Sequence, residues 1–212
     1  MSEKISALPW VVLGITLGII LLFGVRPLLP ERHGTTLTYH NFLFEQIEGN
    51  WYFDWQRDNV LYTVSLRYSP YDVENTTIRG VLNESFNTRR DIYVTFDPEL
   101  GNNTKNFTTL ALAATELTQS MARVLGFKPI SACTRNSSSC AGIPIVTCAT
   151  PNASILSLTD IGTPGIILEQ NCIILRGEGF GLLKSVDRLL YQWYGVMGER
   201  WANATTRTRS TP

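Results

Sequence analysis

The 212-residue chain has no excess of either charge: 18 basic and 18 acidic residues leave a formal net charge of zero. That balance argues against a nucleic-acid binder, whose electrostatic footprint is a basic excess. Only 17% of the residues are charged, too few for a highly charged disordered chain. Histidine is scarce: His33 and His40 are the whole supply, close together near the start. A His-based triad or multi-His metal site would have to be assembled from that one segment, which its reach opposes. The four cysteines (Cys133, Cys140, Cys148, Cys172) form no C-x-x-C pair, so zinc-knuckle spacing is missing. No internal repeat of solenoid length is visible. These absences lead to the expectation that the chain is not an enzyme and needs no cofactor or metal.

One long uncharged run is present, Leu8 to Val25. As a helix its 18 residues would extend about 27 Å, close to the thickness of a hydrocarbon core. Trp10 suits the interface at one end, and no A-x-A-like cleavage site follows. The run therefore reads as an uncleaved signal-anchor, with a cleaved signal peptide as the competing reading. Gly14 and Gly18 match a small-xxx-small helix-association motif, so a homo-oligomer through that face is a further expectation. Lys4 before the run and Arg26 and Arg32 after it mean that the positive-inside rule does not set the orientation.

Orientation comes from asparagine. Seven Asn-x-Ser/Thr sequons begin at Asn75, Asn83, Asn102, Asn106, Asn136, Asn152 and Asn203, all beyond the run. Composition alone gives about two. The excess points to an exported, N-glycosylated domain on the extracytoplasmic side of a cell membrane, with the N-terminus inside. Cysteines confined to the exported half agree with an oxidising compartment. Among three possible connectivities, Cys133–Cys140 and Cys148–Cys172 are favoured. The first closes a short polar loop, and the second clips two strands together at a chain-entropy gain of about 3 kcal/mol.

The organisation read from pattern is an anchor (1–25), a stalk (26–38), an α+β domain (39–198) and a Thr/Arg-rich, disordered tail (199–212). Period-two alternation from Tyr39 to Tyr68 predicts a three-stranded antiparallel meander. Its aromatic face (Trp51, Phe53, Trp55) reads as core, with sugar or peptide binding as the alternative. Residues 69–90 read as irregular. Ile92–Phe96 is a strand. A helix capped by Thr108 or Thr109 runs to Leu125 on the stripe Leu110, Ala113, Leu117, Met121 and Val124, ended by Gly126 and Pro129. Ile143–Cys148, Ser154–Leu158, Gly165–Leu168 and Cys172–Arg176 are further strands. Gln170 and Asn171 make a hairpin turn. A final helix, Phe180–Tyr194, turns Lys184, Asp187, Arg188 and Gln192 to water. The class is α+β: a mainly antiparallel sheet with two packed helices, its last strands apolar on both faces and so covered on both.

Little of this carries chemistry. Asp97 and Glu99 in FDPE are a possible acid–base pair, but an Asp-Pro turn explains them as well. Gly177, Gly179 and Gly181 before the last helix resemble a phosphate loop without its Lys-Ser/Thr, and a plain strand-to-helix turn is the simpler reading.

Three stretches, GNWYFDWQRDNVLYTVSLRYSP, LAATELTQSMARVLGFKPI and NCIILRGEGFGLLKSVDRLLYQWYGVM, resemble a set of uncharacterised single-pass surface glycoproteins of small-genome archaeal lineages. The resemblance covers roughly residues 39–198. It implies an envelope location and no activity. The expected role is therefore a membrane-anchored extracytoplasmic glycoprotein with a structural or binding function and an envelope protein or glycan as partner. The alternatives are an accessory subunit of a membrane complex and an envelope enzyme acting on glycans or peptides.

Overall fold

The computed structural model describes residues 34–87, 89–99 and 104–198. The Leu8–Val25 run with Gly14 and Gly18, His33, Asn102, Asn203 and the tail lie outside the described residues. Among the described residues no helix is long and apolar enough to cross a membrane.

The compact unit that holds the described strands and helices begins at Thr35, within the expected stalk. Thr35–Tyr39 is β1, because TTLTY alternates with period two and finds a partner in β2 (Phe42–Ile47). β3 (Asn50–Arg57) and β4 (Val60–Leu66) complete a four-stranded antiparallel sheet in chain order, one strand more than the meander predicted. Its register puts Trp51 opposite Leu66 and Phe53 opposite Val64. All four are buried, so the aromatic face is core.

Most of the segment that follows is regular, contrary to expectation. Ser69 caps the single turn α1 (Pro70–Val73) through a capping box with Asp72. β5 (Thr77–Leu82) and the turn α2 (Glu84–Asn87) come next, then β6 (Asp91–Phe96). The helix α3 (Thr104–Gln119) starts a turn earlier than Thr108, where Thr104, Lys105 and Asn106 are polar and Phe107 is exposed. It continues as a π-helical turn, Ser120–Leu125, and ends on left-handed Gly126. β7 (Lys128–Cys133) contains Pro129, so that proline does more than stop a helix. β7 is an edge strand, the place in a sheet where a missing N–H is tolerated. The expected strand at 143–148 does not form. Pro144 offers no N–H, and only an isolated bridge joins Ile145 to Cys133. β8 (Ser154–Thr159), β9 (Gly165–Gln170), β10 (Cys172–Arg176) and α4 (Phe180–Tyr194) lie where the pattern puts them.

The chain is thus α+β, with an antiparallel sheet and packed helices. It also has a second, six-stranded sheet of order β5-β9-β10-β8-β6-β7. In that sheet only β9–β10 is antiparallel; the other four pairs are parallel. The two sheets and the two long helices share one core. Tyr191 and Tyr194 of α4 meet Phe44, Phe53 and Trp55 of the first sheet, while α4 also packs on β9 and β10 of the second. Trp55 Nε1 donates to the Tyr194 carbonyl at 2.9 Å. The far face of the second sheet has its own small cluster, Ala132, Val146, Ala153, Ile155 and Cys172. Cover on that face is partial, with Ile167 and Ile174 half-buried.

Gly126 has φ +71°, and a Cβ there would run into the Arg57 guanidinium, whose Nη1 donates to the Val124 carbonyl at 2.8 Å. Gly126→Ala should therefore lower stability by about 1–2 kcal/mol through backbone strain and displacement of Arg57. A urea midpoint equal to that of the unaltered chain would show that neither constraint acts.

Candidate functional site

Residues 134–153 form a long connection that lies across the far face of the second sheet. Two disulfides hold it. Cys133 pairs with Cys140, Cα atoms 6.4 Å apart, and Cys148 pairs with Cys172, Cα atoms 5.3 Å apart. Thr95 Oγ1 donates to the Val146 carbonyl at 2.9 Å, and Asn171 Nδ2 donates to the carbonyls of Thr150 and Ala153. These bonds satisfy backbone acceptors that the absent strand ladder leaves open.

Asp97 and Glu99 are brought together, by Arg135. Its Nη2 pairs with Asp97, and its Nη1 lies 3.0 Å from Glu99 Oε2. Asp97 Oδ1 also accepts from the Glu99 N–H at 3.0 Å. The carboxylates thus dock the disulfide loop onto the end of β6, and Glu99 is 63% exposed. His40 sits apart, its Nδ1 2.9 Å from the Val196 carbonyl. Among the described residues no group of three or more His, Cys, Asp or Glu is arranged to hold a metal.

The glycine loop before α4 is already occupied by the chain. Asp160, 3% exposed, accepts the Gly179 N–H at 2.5 Å, so a carboxylate sits where a phosphate would be sought. Gly177 has φ +155°, and a Cβ there would collide with the Gly181 backbone. These glycines serve a tight strand-to-helix turn.

The pattern misplaces two buried groups. Asp187 does not face water; it is fully buried, as Gln192 nearly is. The helical pattern assumes one wet face, but α4 is covered on several sides. Asp187 Oδ2 accepts from the Arg67 N–H at 3.1 Å and the Tyr68 N–H at 2.9 Å, while Tyr191 Oη donates to the Tyr68 carbonyl at 2.7 Å. Glu116 of α3 pairs with Arg67 at 2.9 Å. Burial pushes the Asp187 carboxyl well above the usual carboxylate range, and the neighbouring Glu116 adds to the rise against the two amide hydrogen bonds. Burial also raises Glu116, opposed by Arg67.

Asn75, Asn83, Asn136 and Asn152 are all exposed. Asn106 lies in the first turn of α3 rather than between elements, and only its backbone is described. No protein-family model, curated protein or solved structure matches this chain.

Between the unfolded carboxyl pKa near 4 and the raised folded value, the native state holds more protons at Asp187 than the unfolded state, so stability falls as pH rises. Asp187→Asn keeps an acceptor and removes this titration; its stability should decline less between pH 4 and 8 in urea titrations. Asp187→Leu strands two amides and should cost about 3 kcal/mol. An unchanged pH slope in the Asn variant would refute the assignment. Separately, replacing Cys148 and Cys172 by Ser should cost about 2–4 kcal/mol, and more than replacing Cys133 and Cys140, because the closed loop is longer. Equal losses in calorimetry would contradict that order.

Proposed function

We propose that the protein is a single-pass, membrane-anchored extracytoplasmic glycoprotein whose α+β head has a structural or binding role in the cell envelope. The carrying observation is the placement of the sequons. Asn75 and Asn83 bracket β5, one edge of the six-stranded sheet, and Asn136 follows β7, the other edge. All three side chains are exposed. Edge strands present unpaired backbone groups that recruit other chains, and bulky hydrophilic glycans beside them would block such pairing. The two disulfides fit an oxidising compartment. The uncharged Leu8–Val25 run supplies the anchor, and the resemblance to archaeal surface proteins points the same way.

Intact-mass and glycopeptide analysis of the chain from a glycosylating host tests the reading. The expected result is a retained N-terminal segment, a mass above the 23.7 kDa polypeptide, and glycans at Asn75, Asn83 and Asn136. The head should also be digested by protease added outside intact cells. A chain beginning beyond Val25 with unmodified asparagines would overturn it.

A further inference from the structure

Three cations converge on one cleft with one carboxylate, Asp72, beside them. Arg79 of β5, Arg176 at the end of β10 and Lys184 of α4 line a cleft of about 360 Å³. Among the described residues none of the three forms an ion pair. The fold produces the convergence. Parallel pairing sets Thr77 of β5 beside Gly165 of β9, and antiparallel pairing sets Gly165 beside Arg176. Ser185 of α4 accepts from the Gly165 N–H at 2.9 Å and donates to the Arg176 carbonyl at 2.6 Å, locking both strand ends to the helix that carries Lys184.

Gly165 leaves room for the arginine. A Cβ there would stand 3.4 Å from Arg176 Nε and 3.2 Å from Thr77 Oγ1, so the guanidinium stem lies across the glycine beside that hydroxyl. Arg176 Nε is buried and has no hydrogen-bond partner. Buried donors are rarely left unpaired, and each such case asks for an acceptor. Lys184 Nζ is held 5.1 Å over the Tyr68 ring, at the same cleft. Asp72 also lines it, but its Oδ2 is engaged by the Ser69 N–H at 2.9 Å and the Ser69 hydroxyl at 2.6 Å.

We infer that this cleft binds an anionic sugar unit, its carboxylate, phosphate or sulfate held by Arg79, Arg176 and Lys184. Arginine forks match oxyanion geometry, and lysine adds a point charge. The cleft is larger than a bare oxyanion needs and falls within the range of small-ligand pockets. Thr77 and Thr163 offer hydroxyls suited to a sugar's polar edge, and Pro164 offers apolar surface for its C–H face. The inference uses only the folded head and does not depend on the anchor or on glycosylation.

Calorimetric titration of the full chain in detergent tests it, with glucuronate and glucose 6-phosphate as probes and glucose and inorganic phosphate as comparators. Asn75 lines the cleft, so the chain is also titrated as Asn75→Gln. Saturable binding of a charged sugar in either form, tighter than glucose or phosphate, is expected. The double variant Arg79→Gln/Arg176→Gln should weaken it at least tenfold and Lys184→Gln severalfold, while Arg123→Gln, on the π-helical turn, should leave it unchanged. Lys184→Gln alters only a half-buried side chain and so keeps the test open if the double variant misfolds. No saturable binding in either form, glucose or inorganic phosphate binding as tightly as the charged sugars, or affinities indifferent to Lys184 and the arginines would overturn the proposal.

Discussion

The Asp187 carboxyl fastens the end of β4 to a helix that has almost no wet face, and the layering depends on that contact. Arg67 and Tyr68 leave the first sheet at a point where their N–H groups have no strand to pair with. Asp187 accepts both from inside the core, and Tyr191, one turn along α4, donates its hydroxyl proton to the Tyr68 carbonyl. The chain thereby turns into the capped α1 and on to the second sheet with the Arg67 and Tyr68 amides and the Tyr68 carbonyl all paired, while Asp187 Oδ1 stays buried without a partner. Burying an ionisable group is costly, and its raised pKa is the signature of that cost. What offsets it is the aromatic seam of Phe44, Phe53, Tyr191 and Tyr194, where each fully buried ring contributes on the order of 2 kcal/mol.

With α4 held between the sheets, the second sheet has one face supplied with helices and one face left over. The disulfide-bonded connection covers part of the remainder. It makes little regular structure of its own, so its order comes from crosslinks, the Arg135 contacts with Asp97 and Glu99, and the Asn171 and Thr95 hydrogen bonds. Such a cover suits a protein that lives where disulfides persist. The cleft lies elsewhere on the sheet, where β5, β9 and β10 meet α4.

Much was legible in the sequence because it depends on neighbours along the chain. Alternation in WYFDWQR and LYTVSLRY specifies β3 and β4, since residues two apart must share a face. Glycines at 179 and 195 bound α4, because a helix needs its ends released locally. The two cysteine pairs followed from loop length and strand ends, and the exposure of Asn75, Asn83, Asn136 and Asn152 followed from turn placement. The π-helical turn had no such signature; there Arg57, from the end of β3, donates to the Val124 carbonyl.

Tertiary structure alone decided the rest, and for one reason: a periodic pattern says which residues share a face but not how many faces are covered. Asp187, Gln192 and Ser185 are polar, so the pattern assigned Asp187 and Gln192 to water, whereas packing between two sheets buries all three. β5 and β7 carry too little apolar contrast to announce themselves and form because β9 and β6 offer them edges. Arg79, Arg176 and Lys184 are scattered along the chain; their convergence exists only because strand pairing and the Ser185 bridge bring three separate elements to one corner.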